Sequence, residues 1–231
     1  MSTQSTETVD TDRARLDLPV SVLIVDDHPA VRAGVGRLVA DQADMAPVAI
    51  VATARDALAE AQRLSPRIAI VDYHLPDRDG LSLTRQLKAL PHPPAVLIYS
   101  AFADARTTVG AVLAGADGVA NKTCRADELC TAVRTIAAGS SSLPVVPPDI
   151  MSAIASELEH EDLPILAMLM NGVPPAELAD ALNITTDWLE MRRWAILHRV
   201  AERPGRRVHA AAWPPVSLAR SGPMATDRGR S

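Results

Sequence analysis

The sequence predicts an α/β domain with a doubly wound, five-stranded parallel sheet, followed by a small all-α domain. Three observations predict it. Five short apolar runs alternate with amphipathic segments between residues 20 and 138, Gly139 and the stretch SSSLPVVPP (140–148) interrupt the alternation, and only helical periodicity lies beyond. A chain of 231 residues has room for one domain of about 120 residues and a smaller second one.

The elements follow in order. VSVLIV (20–25) is the first strand, and a helix over 29–40 follows it. APVAIV (46–51), RIAIV (67–71), AVLIY (95–99) and GVAN (118–121) are the other strands, with helices near 54–64, 80–89, 104–113 and 126–138. The strands are continuously apolar rather than alternating, as expected of a parallel sheet covered on both faces. The Ser and Pro cluster at 140–148 is a linker, so the first domain occupies 19–139. The second, 149–201, shows helical patterns at 149–157, 162–170, 175–182 and 186–200. Residues 1–18 are polar and read as a flexible lead-in, and 202–231, with Pro204, Pro214, Pro215 and Pro223 among arginines, as a basic, mostly disordered tail.

Hydrophobic residues are 48% of the chain and charged ones 22%, values of an ordinary globular protein. Cys124 and Cys130, the only cysteines, are six positions apart on an expected helix and point to different sides, so neither a disulfide nor a metal site is expected of them. A reducing cytoplasm fits that usage. No basic segment followed by an apolar run opens the chain, and no apolar stretch approaches the ~20 residues that cross a bilayer, so neither secretion nor membrane insertion is expected. Net charge is −5, unevenly spread: −2 over 1–19, −1 over 20–139, −6 over 140–201 and +4 over 202–231. The helical domain is the most acidic part of the chain.

Ligands of open parallel sheets bind outside the carboxyl ends of the strands. Asp26 and Asp27 end the first strand, Asp72 the third, Ser100 the fourth and Lys122 the fifth. Carboxylates that converge there repel by about 4 kcal/mol per close pair at an effective dielectric near 20, so the cluster calls for a cation. Oxygen ligands with room for water and phosphate suit Mg2+. Asp72 is then a nucleophile able to form an aspartyl phosphate, with Lys122 and the metal balancing the phosphoryl oxygens and Ser100 donating a hydrogen bond to them. Taken singly, Asp26 or Asp27 reads equally as a helix cap and Lys122 as solvated surface; four successive strand ends carrying such groups favour a site.

At these residues the chain resembles the receiver domain of two-component response regulators, with its flavodoxin-like fold. VDYHLPDRDG (71–80), including Pro76, Asp79 and Gly80, is similar to that family's pattern around its phosphorylated aspartate, and VDDHPAVRAG (25–34) and GADGVANK (115–122) are similar to members with LuxR-type output domains. The resemblance implies that Asp72 is the phosphoacceptor, that Asp26, Asp27, Asp72 and the backbone carbonyl of His74 hold Mg2+, and that Ser100 and Lys122 bind the phosphoryl group. It also implies a sensor histidine kinase as partner. Val119 departs from the family, which has Tyr or Phe there as a ring that turns inward on activation.

Residues 158–200 resemble the LuxR-type (NarL/FixJ-like) helix-turn-helix, with Leu158, Ile165, Leu166, Leu169, Leu178 and Leu189 among the matching core positions. Gly172 reads as a C-cap, Thr185 as the N-cap of the last helix, Pro175 as the first residue of its own helix, and Pro164 as delaying the start of another. The resemblance makes the last helix a recognition helix, with Thr185, Glu190, Arg192, Arg193 and Arg199 the candidate contacts to duplex DNA. Glu190 stands where the family usually has Lys, and Asp187 lies on the same entry edge. The leading expectation is a phosphorylation-dependent transcription regulator that binds DNA as a homodimer. Two alternatives stay open: a helix-turn-helix that binds a protein instead, favoured by the acidity of 140–201, and an aspartyl-phosphate-forming phosphohydrolase, disfavoured because adjacent aspartates replace that class's DxD.

Overall fold

The computed structural model describes residues 18–201, so the expected lead-in and tail lie outside the described residues. The first domain runs β1 (Val20–Val25), α1 (Pro29–Ala40), β2 (Met45–Val51), α2 (Ala54–Leu64), β3 (Ile68–Asp72), α3 (Gly80–Lys88), β4 (Ala95–Ser100), α4 (Ala105–Ala114), β5 (Gly118–Asn121) and α5 (Ala126–Ala137). The five strands are parallel in the order β2-β1-β3-β4-β5. Successive strand residues face opposite sides, which splits the core into two layers. Leu23, Val25, Ala69, Val71, Val96 and Ile98 pack on one side with α2, α3 and α4. Val22, Ile24, Ile68, Ile70, Leu97 and Tyr99 pack on the other with α1 and α5.

This order also fixes where a ligand sits. The chain leaves β1 outward to β2 and returns across it to β3, so a crevice opens at the carboxyl ends of the neighbours β1 and β3. Side chains then fasten the loops that ring it. Asp79 caps α3 by accepting from the Ser82 N–H at 2.8 Å, and Asp77 accepts from the N–H groups of Ala54 and Arg55 at 2.9 and 3.0 Å, joining the β3–α3 loop to the start of α2.

The second domain comprises α6 (Pro148–Ser156), a 3-10 turn (His160–Asp162), α7 (Leu163–Met170), α8 (Pro175–Leu182) and α9 (Thr186–Ala201). Three sequence expectations need adjustment. Pro148 belongs to α6, where a proline is tolerated in the first turn, so the linker ends at Pro147. The 3-10 turn precedes Pro164 and takes up part of the expected 162–170 helix. Cys124 stands in the β5–α5 connection rather than on the helix that holds Cys130. Thr185 does cap α9, accepting from the Trp188 N–H at 3.2 Å, and Gly172 ends α7 at φ +76°.

The two domains share one apolar layer. Leu197 of α9 lies against Gly110 of α4, the Arg193 guanidinium against Gly115, and the Arg85 guanidinium sits 5.0 Å above the Trp194 ring. Arg106 of α4 is ion-paired with Glu157. The linker is clasped to the sheet edge: the Val119 N–H donates to the Ser142 carbonyl and the Ser142 N–H to that of Asp117, both at 2.9 Å. No helix among the described residues is long and apolar enough to cross a membrane.

Gly80 is where fold and pocket meet most tightly. A Cβ there would lie 2.2 Å from the Asp72 carbonyl oxygen and 3.0 Å from the Tyr73 Cα. Backbone cannot yield as a flexible side chain does, so Gly80→Ala should lower stability by about 1–3 kcal/mol. Chemical denaturation will measure that loss, and amide shifts in an NMR spectrum should centre on Asp72 and Tyr73.

Candidate functional site

The ends of β1, β3 and β5 bring Asp26, Asp72 and Lys122 together, and the end of β4 holds Ser100 next to Lys122. Asp26 and Asp72 are almost wholly buried, at 2% and 3% exposure, and the Lys122 ammonium lies between them, 2.7 Å from Asp26 Oδ2 and 2.8 Å from Asp72 Oδ2. The Lys122 N–H donates to the Ser100 carbonyl at 2.8 Å, which fixes the end of β5 to that of β4. Ser100, also buried, accepts at Oγ from the Phe102 N–H at 3.1 Å. Asp72 Oδ1 accepts from the His74 N–H at 3.3 Å and Asp26 Oδ1 from the His28 N–H at 2.8 Å, while Arg32 on α1 donates to the Asp26 carbonyl at 2.7 Å.

Burial raises the Asp72 carboxyl above the ordinary carboxylate value, and the nearby Asp26 charge adds to this; hydrogen bonds from Lys122 and His74 oppose it. Burial works to lower the Lys122 ammonium, but its bonds to Asp26 and Asp72 outweigh that and hold it above its usual value. Both groups thus depend on each other's charge.

The donor set fits a hard divalent cation. One oxygen each of Asp26 and Asp72 is shut off from solvent and faces the Lys122 ammonium, and the ligand atoms of Asp26, Asp27, His28 and Asp72 lie within 4.8 Å of one another. Carboxylate oxygens held so close suit Mg2+, which accepts one or two of them and completes its shell with water. His28 is the member that sequence reasoning missed: its Nδ1 is 2.5 Å from Asp27 Oδ1 and 4.0 Å from Asp72 Oδ2. Its position directly after Asp27 was the available signal.

The candidate DNA contacts are placed less simply. Arg192 donates through Nη2 to Glu159 at 2.6 Å and to Glu161 at 2.9 Å, and through Nε to buried Asp162. Arg199 pairs with Glu159 and Asp162. Arg193 is buried against the first domain and bonded to Glu190, its Nε lacking a hydrogen-bond partner. The solvent-facing strip of α9 is Asp187, Met191 and Ala195, which carries no cation.

The family described as response regulator receiver domain matches residues 22–134. The chain is 28% identical over 178 residues to the response regulator protein VraR of Staphylococcus aureus, covering 73% of this chain and 84% of that protein. It is similar to the crystal structure of a LuxR-family two-component response regulator from Aurantimonas sp. SI85-9A1, at 32% identity and a TM-score of 0.52, covering 60% of this chain and 97% of that one. RcsB from Salmonella enterica serovar Typhimurium bound to a promoter shares the fold over 80% of this chain and 94% of that one, at 16% identity and a TM-score of 0.54.

The α9 cluster carries a pH signature. Hydrogen bonds from Arg199 and Arg192 hold the Glu159 carboxyl down at about 2, from an ordinary 4.5. A carboxylate depressed on folding contributes stability that is present above its unfolded value and lost as pH falls through its folded one. Stability should therefore decline between pH 4.5 and about 2. Glu159→Gln should flatten part of that limb in thermal melts recorded across this range and lower the midpoint near neutral pH, while Asp44, Asp77 and Glu157, whose carboxyls are also held down, keep the remainder of the acid response.

Proposed function

Because the chain belongs to the two-component response regulators of the LuxR family, we propose that a sensor histidine kinase phosphorylates Asp72 and that this controls binding of the C-terminal domain, as a homodimer, to duplex DNA. The observation that carries the reading is the Lys122 ammonium shared by Asp26 and Asp72 at the mouth of the β1–β3 crevice. An Asp72 carboxylate oxygen forms the new P–O bond as the P–N bond of the kinase's phosphohistidine breaks, and the freed imidazole leaves with the kinase. Asp26, Asp27, Asp72 and the His74 carbonyl would hold Mg2+, which would supply positive charge for the phosphoryl oxygens. Lys122 gives up its Asp72 contact for a phosphoryl oxygen, and the Ser100 hydroxyl donates to another.

That donation has a short path to the output domain. Ser100 Oγ holds the Phe102 N–H, the Phe102 carbonyl accepts from Thr107 Oγ1 at 2.9 Å, and Thr107 lies in the first turn of α4. The other face of α4 bears α9. α4 covers the Arg193, Trp194 and Leu197 flank of α9, next to its solvent-facing strip, so the first domain stands where a duplex approaching α9 would have to lie, and the closed arrangement supports a resting state that opens on phosphorylation.

A specific observation favours one second reading. The exposed strip Asp187, Met191 and Ala195 offers no phosphate contact and leaves Met191 51% exposed, as suits a protein partner. Fragment selection at low salt with phosphorylated protein separates the two: enrichment of a sequence supports DNA, and no enrichment moves the output domain to protein binding.

Two outcomes are expected. A small phosphodonor with Mg2+ should add one phosphoryl mass to wild type and none to Asp72→Asn; equal labelling would remove Asp72 from its role. A Cβ on Gly110 would sit 3.1 Å from Leu81 Cδ1 and 3.3 Å from Leu197 Cδ1, so Gly110→Val should prise α9 from α4. Small-angle scattering should show a larger radius of gyration for that variant without phosphodonor, together with duplex binding that no longer needs one.

A further inference from the structure

Arg192, Arg193 and Arg199 are the only lysines or arginines between residues 140 and 201, and each is ion-paired with a carboxylate of its own domain. Only the Arg193 side belongs to the contact with α4. Arg192 and Arg199 are engaged elsewhere, by the segment leading into α7, and separation of the domains leaves that engagement intact.

The acids that hold them are of two kinds. Asp162 is 1% exposed at the start of α7, where a buried carboxylate needs its guanidinium partners for the fold itself. Glu159 and Glu161 stand on the rim, and both bond the same Nη2 of Arg192. Glu159 also takes Nη2 of Arg199. Arg presents a planar fork whose edges match carboxylate and phosphate alike, so these carboxylates take the edges that a DNA phosphate would use. The five groups together carry three negative and two positive charges, so an approaching phosphate meets a small net repulsion where the sequence shows two bases.

We infer that Glu159 and Glu161 form an internal lock on Arg192 and Arg199, separate from the α4 contact, so that DNA binding requires phosphate to displace carboxylate as well as α9 to leave α4. This rests on the DNA-binding reading above. Because the rim acids are exposed, their hold is screened by solvent and salt, and a duplex that supplies further contacts can displace them. A duplex without such contacts cannot, so the lock suppresses non-specific binding, which is phosphate attraction in the main. The Glu159 carboxyl, held down at about 2 by the two guanidinium groups, is charged throughout the physiological range.

The test uses the full chain carrying Gly110→Val, with Glu159→Gln and Glu161→Gln added together. Asp162 is untouched, and circular dichroism checks the fold. A control carries Glu177→Gln and Asp180→Asn on α8, an equal charge change at acids that pair with none of the three arginines. Binding to a random-sequence duplex and to heparin is measured from low to moderate salt. The rim variant should bind both polyanions about tenfold more tightly at low salt, with a slope against log salt steeper by about one to two, and the control should change far less. Equal gains in variant and control, or no gain with either polyanion, would overturn the lock. A gain for heparin without one for duplex would sustain the lock and defeat the DNA-binding reading instead.

Discussion

The ion pairing of Lys122 with Asp26 and Asp72 is the constraint on which the rest of the first domain depends. Two carboxylates almost without solvent, drawn from adjacent strands, cannot both stay ionised unless a cation sits between them. The only lysine at the pocket arrives from β5, two strands away from β3, and it reaches because β3, β4 and β5 are in strict parallel register and its own N–H is bonded to the Ser100 carbonyl. α3 must start close behind Asp72, and glycine at position 80 is what lets it. The raised Asp72 carboxyl and the raised Lys122 ammonium are two readings of one balance between burial and pairing.

The same register carries the pocket toward the second domain by two routes. One leaves β4 through Ser100, Phe102 and Thr107 into α4, whose far face touches α9. The other leaves β5, where Val119 stands in place of the aromatic ring that the family resemblance led one to expect. Val119 is buried and cannot swing a ring, but its N–H holds Ser142 of the linker, so β5 is joined to the output domain by backbone rather than by a side-chain rotamer. A backbone bond transmits strand displacement; it does not need an empty space to turn into.

What the sequence made legible follows from the range of the forces concerned. Strand runs, caps such as Thr185 and the aligned strand-end acids are local signals, and Asp26, Asp72 and Lys122 stand together because a parallel sheet sets the carboxyl ends of its strands along one edge. Arg192 and Arg199 were legible only as positive charges on a helix. Their partners Glu159, Glu161 and Asp162 lie 30 to 40 residues earlier, across two helices, and no periodicity links the groups. The packing of Leu197 on Gly110 was equally invisible, since a glycine inside a helix and a leucine at a core spacing each have an ordinary explanation alone. His28 follows Asp27 directly, but a histidine at the start of a helix has ordinary roles, and only the fold turns its Nδ1 toward Asp27 and Asp72.

The balance of the closed arrangement bears on how it can act as a switch. Moving a two-state equilibrium from 1:99 to 99:1 takes about 5.5 kcal/mol of differential free energy. A part-exposed pair such as Arg106 with Glu157 contributes about 0.2–1 kcal/mol, and the Arg85 contact over Trp194 about 0.5–1 kcal/mol. Neither could hold the domains by itself, nor could the two together. Leu197, at 3% exposure against α4, adds part of the roughly 1.5–3 kcal/mol that a buried leucine is worth. Two or three new charge-assisted bonds to a phosphoryl group, at about 1.5–3 kcal/mol each, are of the size needed to shift such an equilibrium. A larger or more apolar interface would weld the domains together. Glycine at position 110 lets Leu197 lie close against α4, and the polar pairs around that contact give way to water at little cost, so the interface is suited to opening as well as to closure.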